Sequence, residues 1–382
     1  MKTMRIAGAI AGAMIAVSCS AQSASLTMPT EPQNDTLRAR LTLPSGFTIQ
    51  YFAAGLSGVR FMAVAPDGAV YASIPKLGQV VRLADTNGDG AADTRVVAVS
   101  GLDRPHGLAF HNGWLYVAWA AGVSRVHLKT DGTADGAPQQ IATYDAGGSH
   151  WTRSIAFGTD GAMYIAIGST CNLCIERAPE RASVMRYDDN GANGRRYAYG
   201  LRNAVGIAVN PVTHEVWVSQ NERDNLTPDH ENLPPDEINI LHDGGDYGWP
   251  YCYTSGGAPV PNPEYNNAAR CAVTVPAALE LQAHSAPLGI SFLASAAKFP
   301  IGYRGDLLVA FHGSWNRSVP TGDKVVRVRI TNDLPVSYED FITGFALAGG
   351  QRWGRPVDVA VTADGAVLIS DDVNGAIYRV AH

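Results

Sequence analysis

The chain has 382 residues, of which 46% are hydrophobic and only 17% charged, with 40 Gly and 22 Pro, the profile of many short strands joined by tight turns. A net charge of −6 gives no overall attraction to nucleic acid or acidic lipid, so any cationic site has to be local. The first apolar run, Ile6 to Val17, is too short for a membrane span.

That run follows Lys2 and Arg5 and precedes Ser18-Cys19-Ser20, which predicts a secretory signal over residues 1–24. Two processing readings stand side by side. One is cleavage at a small-x-small site near Ala21 to Ala24; the other is lipoprotein processing at Cys19, where Ala16-Val17-Ser18-Cys19 resembles a bacterial lipobox without its usual leucine. Either way the protein is expected outside the cytoplasm, in the periplasm, and touches a membrane only through a lipid on Cys19. Residues 25–45 read as a linker and 46–382 as a single domain.

Four of the five cysteines form local pairs, Cys171 with Cys174 and Cys252 with Cys271. Export makes disulfides the default for both. Haem attachment at the first pair would need histidine where Ile175 stands, and no second zinc half-site follows.

From Arg60 onward one strand-turn-strand pattern recurs six times. The units are RFMAVAPDGAVYAS at Arg60, HGLAFHNGWLYVAW at His106, RSIAFGTDGAMYIA at Arg153, VGIAVNPVTHEVWVS at Val205, LGISF at Leu288 and VDVAVTADGAVLIS at Val357. A third strand follows each, with arginine at one position in five of six: Arg82, Arg125, Arg186, Arg327 and Arg379, and Asn239 in the remaining unit. An arginine repeated once per unit reads as a structural contact. Outer strands run into Gly-Leu or Gly-Phe. The last unit lacks one, and Phe47 to Leu56 is expected to supply it and close the ring. These features predict an all-β fold, a six-bladed β-propeller with four-stranded antiparallel blades.

Asp85-Thr86-Asn87-Gly88-Asp89-Gly90-Ala91-Ala92-Asp93 resembles half of an EF-hand loop, with Val96 where the bidentate acid belongs. Asp85, Asn87, Asp89 and Asp93 are therefore expected to hold a structural calcium, against the plainer reading of a polar hairpin turn.

In a propeller the residues just before each inner strand converge around the central channel. Here Arg104 and His106, His150 and Arg153, Arg202 and Asn203, and Arg352 and Arg355 stand at such places. Together they would hold a small polyanion by charge-assisted hydrogen bonds. His150, set among these cations, is expected to stay neutral and to act as general base.

The fourth unit carries GLRNAVGIAV, SQNERD, DEINIL and GGDYGWP, and the fifth carries HGSWNR. With these motifs and the paired Cys171 and Cys174, the chain resembles the soluble sugar dehydrogenases that depend on pyrroloquinoline quinone (PQQ), in particular their sorbosone dehydrogenase-like branch, from about Phe47 to Val380. The resemblance implies oxidation of a sugar, sugar aldehyde or polyol by hydride transfer to PQQ, with His150 as base and a cytochrome or quinone as electron acceptor. It implies that Arg202, Asn203 and Arg355 contact the cofactor and that the main-chain carbonyls of Asn221 and Glu222 hold the catalytic calcium. Ser169 stands where the glucose-oxidising members carry an aspartate that orients the histidine, and the family's cofactor-clamping lysine has no counterpart, a place that Arg317 or His312 would fill. Two other functions fit the same scaffold: a calcium-dependent lactonase, which needs acidic side chains at the channel, and a propeller that binds without catalysis.

Overall fold

The computed structural model describes residues 31–382. The signal segment and Cys19 lie outside the described residues, and among those described no helix is long and apolar enough to cross a membrane. Six four-stranded antiparallel blades form a propeller whose inner strands are Met62–Val64, Pro105–His111, Arg153–Phe157, Ala204–Val209, Pro287–Phe292 and Pro356–Val361. These are the six units read from the sequence. The third blade gains a short parallel addition, Gly245–Asp246, and a hairpin, Cys252–Ser255 with Ala258–Pro261, stands apart from the blades. Both expected disulfides are present, Cys171–Cys174 and Cys252–Cys271.

Turn chemistry sets the first hairpin of each blade. In Ala65-Pro66-Asp67-Gly68, Gly68 takes φ +84°, which glycine adopts without steric cost, and Asp67 accepts from the Ala69 amide at 3.0 Å. The recurrent arginine reaches back to that aspartate: Arg82 to Asp67 at 2.9 Å, Arg186 to Asp160 at 2.8 Å and Arg379 to Asp364 at 2.5 Å. Such partly exposed pairs contribute only about 0–1 kcal/mol each, so their main effect is to orient the turn. Where the second blade lacks the aspartate, Arg125 instead lies 4.5 Å over the Trp114 ring.

Six apolar clusters hold the ring together, each shared by two neighbouring blades. A further cluster of Phe61, Val205, Leu288 and Val357 from four blades plugs the axis. Inner strands pack there at backbone distance. A Cβ on Gly206 would lie 2.1 Å from the Leu288 carbonyl oxygen, and one on Gly289 would lie 2.0 Å from Asp358 Oδ1.

The ring closes as expected. Strand Thr48–Ala53 pairs antiparallel with Ala376–Ala381, placing Thr48 opposite Ala381 and Ile49 opposite Val380. The segment read as a linker over 25–45 is corrected in its second half, because Glu31–Arg40 is helical. Leu37 and Leu41 bury against Ile49, Phe341 and Phe345, and the Asn34 side-chain oxygen accepts from the Tyr51 amide at 2.9 Å. The apolar residues of this helix are few, so its pattern is legible only beside the strand it covers.

Ile49 is fully enclosed where the closing strand meets that helix. Replacing it with alanine should destabilise the protein by about 2–5 kcal/mol, while Thr48→Ala, at an exposed position of the same strand, should change stability by about 0.5 kcal/mol or less. Urea denaturation of both variants checks the pair.

Candidate active site

In an antiparallel blade the start of the inner strand and the end of the second strand lie at the same end of the ring. His150, Arg202, Asn203, Ala286 and Arg355 precede inner strands, whereas Asn221, Glu222 and His312 follow second strands. They meet around one cavity of about 320 Å3, together with Asp224, Asp236, His284, Gly313 and Trp315. That size is at the lower end of the range of about 300–1,000 Å3 for small-molecule sites.

His150 is oriented from behind. Its Nδ1 lies 3.0 Å from the Ser169 carbonyl oxygen and 2.9 Å from Ser169 Oγ. The single proton of that hydroxyl is committed to the Cys171 carbonyl at 2.6 Å, so Oγ can only accept from the imidazole. Nδ1 therefore carries the hydrogen and Nε2 keeps the basic lone pair, with no hydrogen-bond partner among the described residues. Burial, then the charges of Arg202, Arg181 and Arg153, push the imidazole pKa down to about 3, against the opposing hydrogen bond to Ser169.

The cations of the lining differ in what neutralises them. Arg355 donates Nε to the His312 carbonyl at 2.8 Å and Nη2 to the Gly313 carbonyl at 3.1 Å, and forms no ion pair among the described residues. Arg202 binds the Asn172 and Asn221 carbonyls at 3.0 and 3.1 Å and the Asn172 side-chain oxygen at 2.9 Å, with Asp224 at 3.3 Å. Carbonyls orient a guanidinium without cancelling its charge, so Arg355 remains available to an anion, whereas the charge of Arg202 is shared with Asp224. Asn203 Oδ1 is buried without a partner beside them. On another wall His312 Nε2 meets Asp372 at 3.0 Å, and Arg60 donates to the same carboxylate at 2.8 Å. Burial would raise Asp372, but His312 and Arg60 together hold it below the usual carboxylate range.

Three carboxylates also stand in the lining, a feature the motifs had concealed. Asp236 accepts from the Glu222 and Ala286 amides at 2.9 Å each, and burial lifts its pKa to about 7. Glu222 is raised by burial too. Asp224 braces Arg202 and Asn316. The wall is thus of mixed charge, with its acids turned onto its own amides and cations.

Four residues expected at the cofactor do not line this cavity. Arg104 is held by Asp103 at 2.9 and 3.0 Å and lies 5.6 Å over the Trp151 ring. His106 is fully buried against Phe61, with Nδ1 3.3 Å from the Arg153 carbonyl. Arg153 is fully buried and spends its guanidinium on the carbonyls of His150, Thr152 and Asp145; it reaches the cavity only through its field. Arg317 donates to the Glu231 and Val319 carbonyls and pins a loop. Position before an inner strand was the common signal, and it does not say which way a side chain turns.

The Asp85 to Asp93 loop joins outer strands of the first blade, Gln79–Ala84 and Thr94–Ser100. Asp85 accepts from the Gly88 and Gly90 amides at 2.7 and 2.8 Å, Asp89 from Ala91 at 2.8 Å, and Asp93 from Thr86 at 2.6 Å and the Asn87 side chain at 2.9 Å. Its carboxylates do not converge on one point; they fold the loop on itself, which is the polar-turn reading. Among the described residues the one tight group of metal-ligating atoms is Cys171, Cys174 and Glu176, where the sulfurs are bonded to each other.

Sequence reasoning passed over Asn172, Arg181, Asp224, His284 and Trp315. Asp224 and Trp315 lay within quoted motifs, SQNERD and HGSWNR, whose other members drew attention. Asn172 lay between paired cysteines that were read for their bond alone.

A six-bladed propeller with an oriented histidine and carbonyl-held arginines at one mouth defines the class of protein. The chain belongs to the TrAA12-like family, whose profile matches residues 41–382. It is 35% identical over 221 residues to an uncharacterized protein of Borreliella burgdorferi, covering 57% of this chain and 56% of that one. It is 27% identical over 296 residues to the pyrroloquinoline quinone-dependent pyranose dehydrogenase of Coprinopsis cinerea, covering 60% of this chain and 39% of that one. The chain thus spans little more than half the length, or less, of these curated relatives. In fold it is similar to the holo form of the PQQ domain of the Coprinopsis cinerea pyranose dehydrogenase, with TM-score 0.78, 21% identity and coverage of 90% of this chain and 97% of that one.

With its pKa held near 3, His150 should remain neutral from pH 8 to below pH 5 in the apoprotein, as imidazole NMR shifts would record. Arg202→Gln should move the titration upward, because it removes the largest charge acting on the ring. A free histidine titrates near 6.5, so the stability linked to this group is complete above about pH 6.5 and is lost as the pH falls through about 3.

Proposed function

We propose that the protein is a PQQ- and calcium-dependent dehydrogenase that oxidises a sugar, sugar aldehyde or polyol of the sorbosone type outside the cytoplasm. The observation that carries this reading is the unpartnered Nε2 of His150 facing the same cavity as Arg202 and Arg355, whose guanidiniums are held largely by carbonyls. The 21–27% identity to dehydrogenases named for this cofactor supports it.

The residues suit a tricarboxylated, planar quinone. Arg202, Arg355 and the amide of Asn203, whose oxygen lacks a partner, would bind it, with His312, tied to Asp372, on the same lining. The carbonyls of Asn221 and Glu222 are oxygen donors of the kind calcium takes, with Asp224 and Asp236 in the same lining. When bound, PQQ supplies a quinone carbon that accepts hydride, and calcium polarises its carbonyl. His150 Nε2 would take the proton of the substrate hydroxyl, while the carbinol hydrogen would leave with both electrons of its bond as hydride, so that the substrate loses two hydrogens and two electrons in all. A cytochrome or quinone would serve as the electron acceptor. Trp315, 73% exposed at the mouth, offers an apolar face to the incoming sugar. Two disulfides suit an oxidising compartment.

Titration of the calcium-loaded apoprotein with PQQ, followed by a sugar panel with a dye acceptor, tests the reading; absence of saturable PQQ binding would overturn it. His150→Gln should cut kcat by about 10²–10⁴ with PQQ affinity retained. Arg355→Met should weaken PQQ affinity about tenfold to a hundredfold, the loss of one hydrogen bond to a charged group. Chelation of calcium should abolish turnover, and added calcium should restore it.

A further inference from the structure

We propose that the four-residue disulfide loop Cys171–Cys174 is the element that positions both the proton acceptor and the anion clamp, with Asn172 as the positioning residue. The inference rests on the roles given above to His150 and Arg202.

Consecutive main-chain carbonyls of this loop serve two different side chains. The Cys171 carbonyl takes the Ser169 hydroxyl proton at 2.6 Å. That bond decides which way the hydroxyl points, and so keeps Oγ free to accept from His150 Nδ1 at 2.9 Å. The next carbonyl, of Asn172, accepts from Arg202 Nε at 3.0 Å and from Trp249 Nε1 at 3.3 Å. The Asn172 side chain completes the link: Oδ1 accepts from Arg202 Nη2 and from the Asp224 amide, both at 2.9 Å, and Nδ2 donates to the Asp224 carbonyl at 3.0 Å. One residue of the third blade's insertion thereby fixes both a guanidinium of the fourth blade and the backbone of its insertion.

The loop is tied to the catalytic stretch as well. Thr170 donates its amide to Glu176 at 2.5 Å, and its carbonyl accepts from the Ser149 amide at 2.9 Å, next to His150. Two adjacent peptide planes aimed at different targets need their dihedrals held, and a bond between residues three apart in sequence restricts that short turn. The chemical consequence is specific. A serine whose proton is committed elsewhere accepts from Nδ1 as a carboxylate would, but brings no negative charge, so the base is oriented without the stronger upward pull that a carboxylate would add to that of the Ser169 hydrogen bond.

Two variants test this. In the apoprotein, imidazole 15N NMR of the wild type should show His150 as the Nδ1–H tautomer alone. Cys171→Ser with Cys174→Ser, which leaves the Ser169 carbonyl as acceptor at 3.0 Å but releases the hydroxyl, should show the Nε2–H tautomer as a minor population beside the Nδ1–H form, whereas the same change at Cys252 and Cys271, remote from His150 in contact, should leave the tautomer unchanged. Asn172→Ala keeps the disulfide and should bind PQQ about tenfold more weakly than wild type. A single tautomer in the first variant, together with unchanged PQQ affinity in Asn172→Ala, would reduce the loop to a structural staple. Should the cysteine variant not fold, the affinity of Asn172→Ala decides alone. A wild type that binds no PQQ, yet loses its single tautomer in the cysteine variant, would overturn the functional reading and leave the positioning inference standing.

Discussion

The pairing of Thr48–Ala53 with Ala376–Ala381 is the interaction on which the pocket depends, since it turns an open row of sheets into a ring. An open row would leave the sixth blade with an unpaired edge and no fixed distance to the first. That blade carries Arg355, whose amide binds Asp371 at 3.0 Å, and Asp371 in turn accepts from Tyr378 of the closing blade at 2.9 Å. Across the seam Asp358 accepts from the Met62 amide at 2.8 Å, and Arg60 of the first blade reaches Asp372 of the last. Closure therefore sets the separation between Arg355 on one wall and His150 on the other, although over two hundred positions lie between them in the chain.

The site gains its electrical character from the way its cations are satisfied. Arg153 and Arg181 are buried behind His150 and donate to carbonyls of residues 145–152 and 168; the carboxylate nearest Arg181 is Asp145, at 4.0 Å. A guanidinium paired with a carboxylate would contribute little field beyond its immediate surroundings. Held by dipoles instead, these groups keep a positive potential in a region where burial weakens screening. That potential, which adds to burial in keeping the imidazole neutral, also favours an anion beside it. Of the three acids of the lining, Asp236 and Glu222 are lifted by burial toward their protonated forms, and Asp224 is turned onto Arg202.

Period and turn chemistry are local properties, which is why the six units, the missing outer strand and both disulfides could be read from the residues. Asp67 with Gly68 and Arg82 writes one turn within a few positions of itself, and the pattern recurs in later blades. The site was legible only in part. His150, Arg202, Asn203, Asn221, Glu222 and Arg355 reach the cavity as their positions in the repeat required. Arg104, His106, Arg153 and Arg317 occupy equivalent positions or quoted motifs but turn to Asp103, to the axis or to nearby carbonyls.

The sequence by itself therefore determined the repeat, the strand order, the closing partner and the end of the ring at which chemistry gathers, because each follows from alternation, turn residues and the direction of chain entry into a blade. Only the tertiary structure decided which cations face the cavity, that a serine orients the base in place of an acid, and that Asn172 joins two insertions. Side-chain direction and hydrogen-bond partner depend on groups brought close by other blades, and no local pattern of residues records that proximity.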